Sequence, residues 1–303
     1  MRHALTCVFA ARYIVWMAGL IALAPSSAFA QASIRSLTEI IEGHQVGGVA
    51  VDLTGMIYVA DFINTVWLIT PEGGRRDFAS GFYGASGNAI DAQGNLLQSS
   101  FYGNFITKID RKGQATLLAS TGLDEPVGIA IDRGDGAIYV ANCVGNTIGK
   151  LSANRAATTF ARSELLKCPN GLAFDNDHNL YVVNFRNNRM LKVDRQGNVA
   201  PFATVSDKGL GHLCFKKDRF YVAAYHSHSI YEVTLDGAVR RILGNGEQGL
   251  LDGVGASARL SFPNGIACDP WSNHLYVSEY VSSSAESLPR RAIVREIDLA
   301  VQD

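Results

Sequence analysis

One short pattern recurs six times along this chain and dictates its architecture. Each copy is an apolar strand ending in Asp, a tight turn holding Gly or Asn, and a second strand, most often ending in Tyr-Val and a small or polar residue. The first copy reads Gly48-Val49-Ala50-Val51-Asp52, then Ile57-Tyr58-Val59-Ala60-Asp61. Asp52, Asp91, Asp132, Asp175, Lys216 and Asp269 hold the equivalent position, 39, 41, 43, 41 and 53 residues apart. The fifth copy, His212-Leu213-Cys214-Phe215-Lys216, is looser. Two more strand signals follow most pairs, at 65–70 and 77–80 in the first copy. Four strands per unit at a period near 40, with no 3.6-residue periodicity, predict propeller blades rather than helical repeats. The expected fold is all-β: six four-stranded antiparallel blades over residues 31–303. The sixth copy has a third strand at 292–297 but no fourth, while residues 34–40 form an orphan strand near the start. This N-terminal strand is expected to fill the outer position of blade six and close the ring, leaving no long sheet edge.

Composition agrees. Thirty Gly, 14 Phe and 11 Tyr with only 18% charged residues suit short strands and tight turns. The same figures exclude a disordered chain, a coiled coil and a strongly basic nucleic-acid binder.

Arg2 and Arg12 flank a twelve-residue apolar run from Tyr13 to Ala24, followed by Pro25 and a small-x-small end at Ala28-Phe29-Ala30. Twelve residues of helix span about 18 Å, well short of a bilayer core. The segment reads as a secretory signal peptide, cleaved before Gln31. Its loss leaves a net charge of −3, and no later stretch is long and apolar enough to span a membrane. The mature protein is expected to be periplasmic or extracellular and monomeric, with a small-molecule or protein partner and no nucleic acid. Four cysteines remain in an oxidising compartment. Cys143 ends a second strand and Cys168 precedes the next first strand on the same face, so a disulfide is expected there. Cys214 and Cys268 differ by one position relative to their repeat residues. Opposite pleat directions predict two buried free thiols.

The 48–61 pattern resembles NHL repeats, the blades of NHL-type β-propellers, as does the stretch from Asp252 to Ala267. Pro169-Asn170-Gly171 and Pro263-Asn264-Gly265 are similar to motifs of the gluconolactonase and senescence-marker-protein family. That resemblance implies a divalent cation (calcium, magnesium or zinc) on the central face, held by a Glu, an Asn and an Asp from different blades. Asn170 holds the family's asparagine position, but Gly47 and Gly211 stand where its acidic partners belong. Asn264, Glu279 and Asp61 are the neighbouring candidates.

First-strand starts and second-strand ends share one face around the channel. Asp61, Asn142, Asn184 and Glu279 end second strands there, and Phe62, Phe101, Phe185, Tyr225 and Tyr280 follow directly. Amides ringed by aromatics suit a small, partly apolar ligand. Blade five adds His212, His226 and His228. His-x-His on an extended segment places two imidazoles on one side, so these three, with Glu279, are catalytic or metal-binding candidates. Segments 244–262 and 281–291 are long enough to form a lid. Three functional readings follow: a metal-assisted lactone or ester hydrolase, a non-catalytic binding propeller, and a lyase of the streptogramin-lyase kind, suggested by the stretch from Gly145 to Leu151.

Overall fold

The computed structural model describes residues 31–152, 154–205, 209–281 and 290–299. The expected signal peptide lies outside them. Six antiparallel blades follow one another in chain order. Blade one comprises Val49–Val51, Ile57–Ala60, Thr65–Ile69 and Arg75–Ser80, from the axis outward. Blade two comprises Ala85–Ile90, Leu96–Ser100, Phe105–Ile109 and Ala115–Ala119. Blade three comprises Pro126–Ile131, Ile138–Asn142, Thr147–Leu151 and Ala157–Arg162, and blade four Pro169–Phe174, Leu180–Asn184, Arg189–Val193 and Val199–Thr204. Blade five comprises Leu210–Lys216, Arg219–Ala224, Ser229–Thr234 and Val239–Leu243.

The repeated Asp has a local cause. Asp52 Oδ1 accepts the N–H groups of Thr54 and Met56 at 2.8 and 3.1 Å, and its Oδ2 accepts the Tyr58 hydroxyl at 3.1 Å. One residue thus caps the first turn and fixes the second strand over it. Asp91 and Asp175 take the same turn N–H groups.

Near the axis the first strands meet backbone to backbone. Gly48, Gly87, Gly128, Gly171 and Gly265 occupy one repeat position, four residues before the repeat Asp. A Cβ on Gly128 would stand 2.1 Å from the Asn170 oxygen, and one on Gly87 would stand 2.2 Å from the Val127 oxygen. No side chain fits at those two glycines. Farther out, alternating residues of each blade fill the space between neighbours. Val140, Leu172 and Val182, for example, are buried at 6% exposure or less.

Blade six is assembled from both ends of the chain. Pro263–Cys268, His274–Tyr280 and Arg291–Asp298 are its inner three strands, and Ser33–Ser36 pairs with Arg291–Asp298 in the expected outer place. Two details extend that expectation. Ile41–Glu42 also pairs with Arg291–Asp298, and Gly253–Val254 adds a further edge beyond Ser33–Ser36. The 253–254 part of the 244–262 insertion therefore lies at the outer edge of blade six, while its end at Phe262 reaches the mouth. Residues 282–289 of the other expected lid lie outside the described residues.

A buried charge ties this closure together. Arg295 is fully buried and donates to Glu279 Oε1 at 3.1 Å, to the carbonyls of Arg259 and Leu251, and to Asp252 Oδ1 at 2.8 Å. Asp252 in turn accepts the N–H and hydroxyl of Ser36. Burial pushes the Glu279 carboxyl up to about 7, against the pull of Arg295 and of the Ser261 N–H.

The Cys143–Cys168 disulfide forms as expected. The expectation of two free thiols is corrected: Cys214 and Cys268 are bonded, with their Cα atoms 5.7 Å apart. Opposite pleat directions separate side chains on one sheet, but stacked blades present opposite faces to each other. Cys214 on blade five and Cys268 on blade six therefore point into the same interblade space, beside Tyr221 and Ile266.

Deleting residues 31–41 removes the buried side chains of Ile34, Leu37 and Ile41, and is expected to lower Tm by on the order of 10 °C or more in calorimetry. Replacing Cys214 and Cys268 together with Ser should cost about 2–4 kcal/mol in denaturant unfolding, and the wild-type mature chain should release no thiol to alkylation without reductant. Glu279 binds its proton more tightly in the fold than at its ordinary value of 4.5. Wild type should therefore lose stability relative to Glu279→Gln as pH rises from 4.5 to about 7, and no further above it; paired melting curves across pH check the sign.

Candidate functional site

The pleat settles where each strand-end side chain goes. Asp61, Asn142, Asn184 and Glu279 continue the faces of Val59, Val140, Val182 and Val277, which fill the space between blades. All four are buried, at 3% exposure or less. Each ties its second strand to the loop that leads into the same blade. Asn142 Oδ1 accepts the Asp124 N–H at 3.2 Å, Asn184 Oδ1 accepts the Lys167 N–H at 3.1 Å, and Glu279 Oε2 accepts the Ser261 N–H at 2.7 Å. Ser100 bonds both backbone groups of Tyr83 in the same way. Asp61 Oδ1 accepts the N–H groups of Ile63, Asn64 and Thr65, while its Oδ2 meets His44 Nδ1 at 3.1 Å. All four thus serve as ties within the fold.

The residues that follow them form the rim. Phe62 and Phe101 lie 5.5 Å apart, Phe185 and Tyr225 5.6 Å. The Cys143–Cys168 disulfide fills the gap between Phe101 and Phe185, packed on Val127. Phe262 completes the arc, 5.1 Å from Tyr225 and 6.1 Å from Tyr280. Sequence reading missed Phe262; its signal was its place before Pro263, equivalent to that of Cys168 before Pro169. Phe62, Cys168, His228 and Phe262 all hold positive φ, between 45° and 54°. Bulky residues in that conformation carry strain that clusters at ligand sites.

The floor below the rim carries amides and one imidazole. Asn170 Nδ2 donates to the Leu210 carbonyl at 3.1 Å, and Asn264 Nδ2 to the Val46 carbonyl at 2.8 Å, so each amide clamps its first strand to the next blade. His212 takes the repeat position that is Gly in the other five blades. It is 8% exposed, and burial pushes its pKa down to about 4, leaving a neutral ring at physiological pH.

The three histidines form no metal-binding group among the described residues, although His226 and His228 both meet the Phe262 ring, and burial together with the neighbouring His226 lowers the His228 pKa. Tyr225–Ser227 forms a 3-10 turn, which removes the extended geometry that would have aligned His226 with His228. His226 is exposed beside Tyr225, and His228 Nδ1 accepts the Phe262 N–H at 3.1 Å. Among the described residues no three His, Cys, Asp or Glu stand together as a metal-binding group. A divalent cation at the axis would find the amides of Asn170 and Asn264 but no carboxylate, since Gly47 and Gly211 lack side chains and Asp61 and Glu279 turn away. Calcium and magnesium need carboxylate oxygens, so these residues do not fit the implied ion.

No family model matches the chain, and no curated protein matches it in sequence. Solved structures do share its fold. A gluconolactonase from Xanthomonas campestris superposes with a TM-score of 0.66 at 18% identity, covering 88% of this chain and 90% of that one. An auxiliary nutrient binding protein from Bacteroides ovatus gives 0.68 at 14% identity, over 88% of this chain and 77% of that one. Virginiamycin B lyase from Staphylococcus aureus gives 0.61 at 13% identity, over 89% and 100%. These likenesses establish a six-bladed β-propeller of the architecture used by gluconolactonase and lyase propellers.

Proposed function

We propose that the chain is an exported binding propeller whose ligand is a small, partly apolar organic molecule seated at the channel mouth. The observation that carries this reading is the aromatic arc from Phe62 to Tyr280, half-buried around a floor of amides and a neutral imidazole. Its apolar walls would hold a ring or alkyl body, while Asn170, Asn264 and His212 would meet polar atoms pointing down the axis. Two disulfides fit the oxidising compartment to which the N-terminal segment would direct the chain.

A second reading rests on His212. An uncharged imidazole on the floor is a proton acceptor in reach of a bound ligand, so metal-free hydrolysis or elimination is open to the site. The likeness to the Xanthomonas gluconolactonase and the Staphylococcus lyase is consistent with such chemistry.

The test is calorimetric titration of the mature protein with neutral lactones and aryl esters, with turnover followed in parallel. Binding without turnover is expected, and Phe185→Ala or Tyr225→Ala should weaken it about tenfold. Turnover that His212→Ala abolishes would establish the second reading instead. Loss of neither binding nor turnover in any of the three variants would remove the channel mouth as the site.

A further inference from the structure

The opposite face carries a second feature, at the junction of blades three and four. A cleft of about 400 Å³ opens there, floored by Tyr139, Phe160, Phe174 and Leu180. The junction of blades four and five uses the same repeat positions: Tyr181 for Tyr139, Phe202 for Phe160, Phe215 for Phe174, and Phe220 for Leu180. There Phe220 is fully buried, with its ring 4.4 Å from Tyr181, 4.7 Å from Phe215 and 6.4 Å from Phe202. At the first junction Tyr139 meets Phe160 at 4.9 Å and Phe174 at 5.4 Å, and the fourth position is the buried Leu180, an aliphatic residue as in every blade but the fifth. The chain thus displays, one blade further on, an aromatic ring completing the platform that the cleft leaves open.

The rim is charged with both signs. Lys150 stands over Tyr139, its Nζ 5.1 Å from the ring centroid, with its pKa raised by a hydrogen bond to that residue and by the nearby Asp135 and Asp132. Arg195 and Asp194 line the same opening; Arg195 donates to the Asp177 carbonyl, and Asp194 accepts the N–H groups of Gln196 and Asn198 and the Asn198 amide. Asp132 and His178 are paired across the junction, Oδ1 to Nδ1 at 2.5 Å, and hold its two sides together.

We propose that this cleft binds a free aromatic amino acid, its ring stacked on Tyr139, Phe160 and Phe174 in the manner of Phe220, and its ammonium and carboxylate met by Asp135, Asp194, Lys150 and Arg195. Edge-to-face contact with three rings supplies the preference for a planar side chain. The site is independent of the channel mouth.

The probe is L-phenylalanine, titrated into the intact mature protein by calorimetry and followed by saturation-transfer NMR. One saturable site in the millimolar range is expected, with L-leucine at least about tenfold weaker. Leu180→Phe places the missing ring in the cleft and should weaken phenylalanine binding at least about tenfold without lowering Tm. Phe220→Leu should leave the stoichiometry at one, because Thr234 and Leu235 stand at the next junction where Asp194 and Arg195 stand here. Phenylalanine binding no tighter than leucine overturns the proposal, as does unchanged binding in Leu180→Phe. Should that variant fail to melt cooperatively, unchanged phenylalanine binding in the double variant Lys150→Ala, Arg195→Ala overturns it instead.

Discussion

The close approach of the six first strands at the axis is the constraint on which the rest of this molecule depends. Backbone meets backbone at Gly48, Gly87, Gly128, Gly171 and Gly265, so the blades converge and their outer strands fan apart. That convergence sets the width of the interblade spaces that Val, Leu and Tyr side chains then fill. It also strips the axis of side chains. Only the residues one step earlier, Asn170 and Asn264 among them, and His212 in the one blade without the glycine, put polar groups on the floor. A site at this mouth has to take most of its character from the loops above the strands, and those loops carry aromatics.

Ring closure is the second dependency. A propeller blade is stable when its neighbours cover both faces, and the last blade to form has to be completed from the far end of the chain. Here residues 33–36 supply the outer strand, and the insertion at 244–262 fastens it. Arg295 connects the third strand, the insertion and, through Asp252, the N-terminal strand. Removing both Asp252 and Glu279 would leave the buried Arg295 charge without a counter-charge.

The two faces divide the labour differently. On the channel face, polar strand-end residues serve as internal ties and aromatics form the exposed surface. On the opposite face, turn-capping aspartates hold the hairpins of most blades, and a groove opens between blades three and four beside Leu180. Internal repetition makes each junction a control for its neighbour, with the same frame and different side chains.

The blade count, the four-strand repeat and the N-terminal closure were legible in the amino-acid sequence, although the strand expected over 34–40 is Ser33–Ser36 with a separate Ile41–Glu42. Each rests on local periodicity and turn chemistry that one segment carries by itself. The Cys143–Cys168 pairing and the aromatic rim were legible too, because both follow from strand-end positions on one face. The partners of the polar strand-end residues were not. Whether Asp61, Asn142, Asn184 and Glu279 face the axis or the neighbouring blade depends on the pleat of a sheet seen against its partner, and the Cys214–Cys268 bond depends on the same stacking. Sequence by itself determined which residues alternate along a strand. Only the tertiary structure decided what each alternate face meets, because that is a relation between blades some forty residues apart, set by how closely their first strands approach the axis.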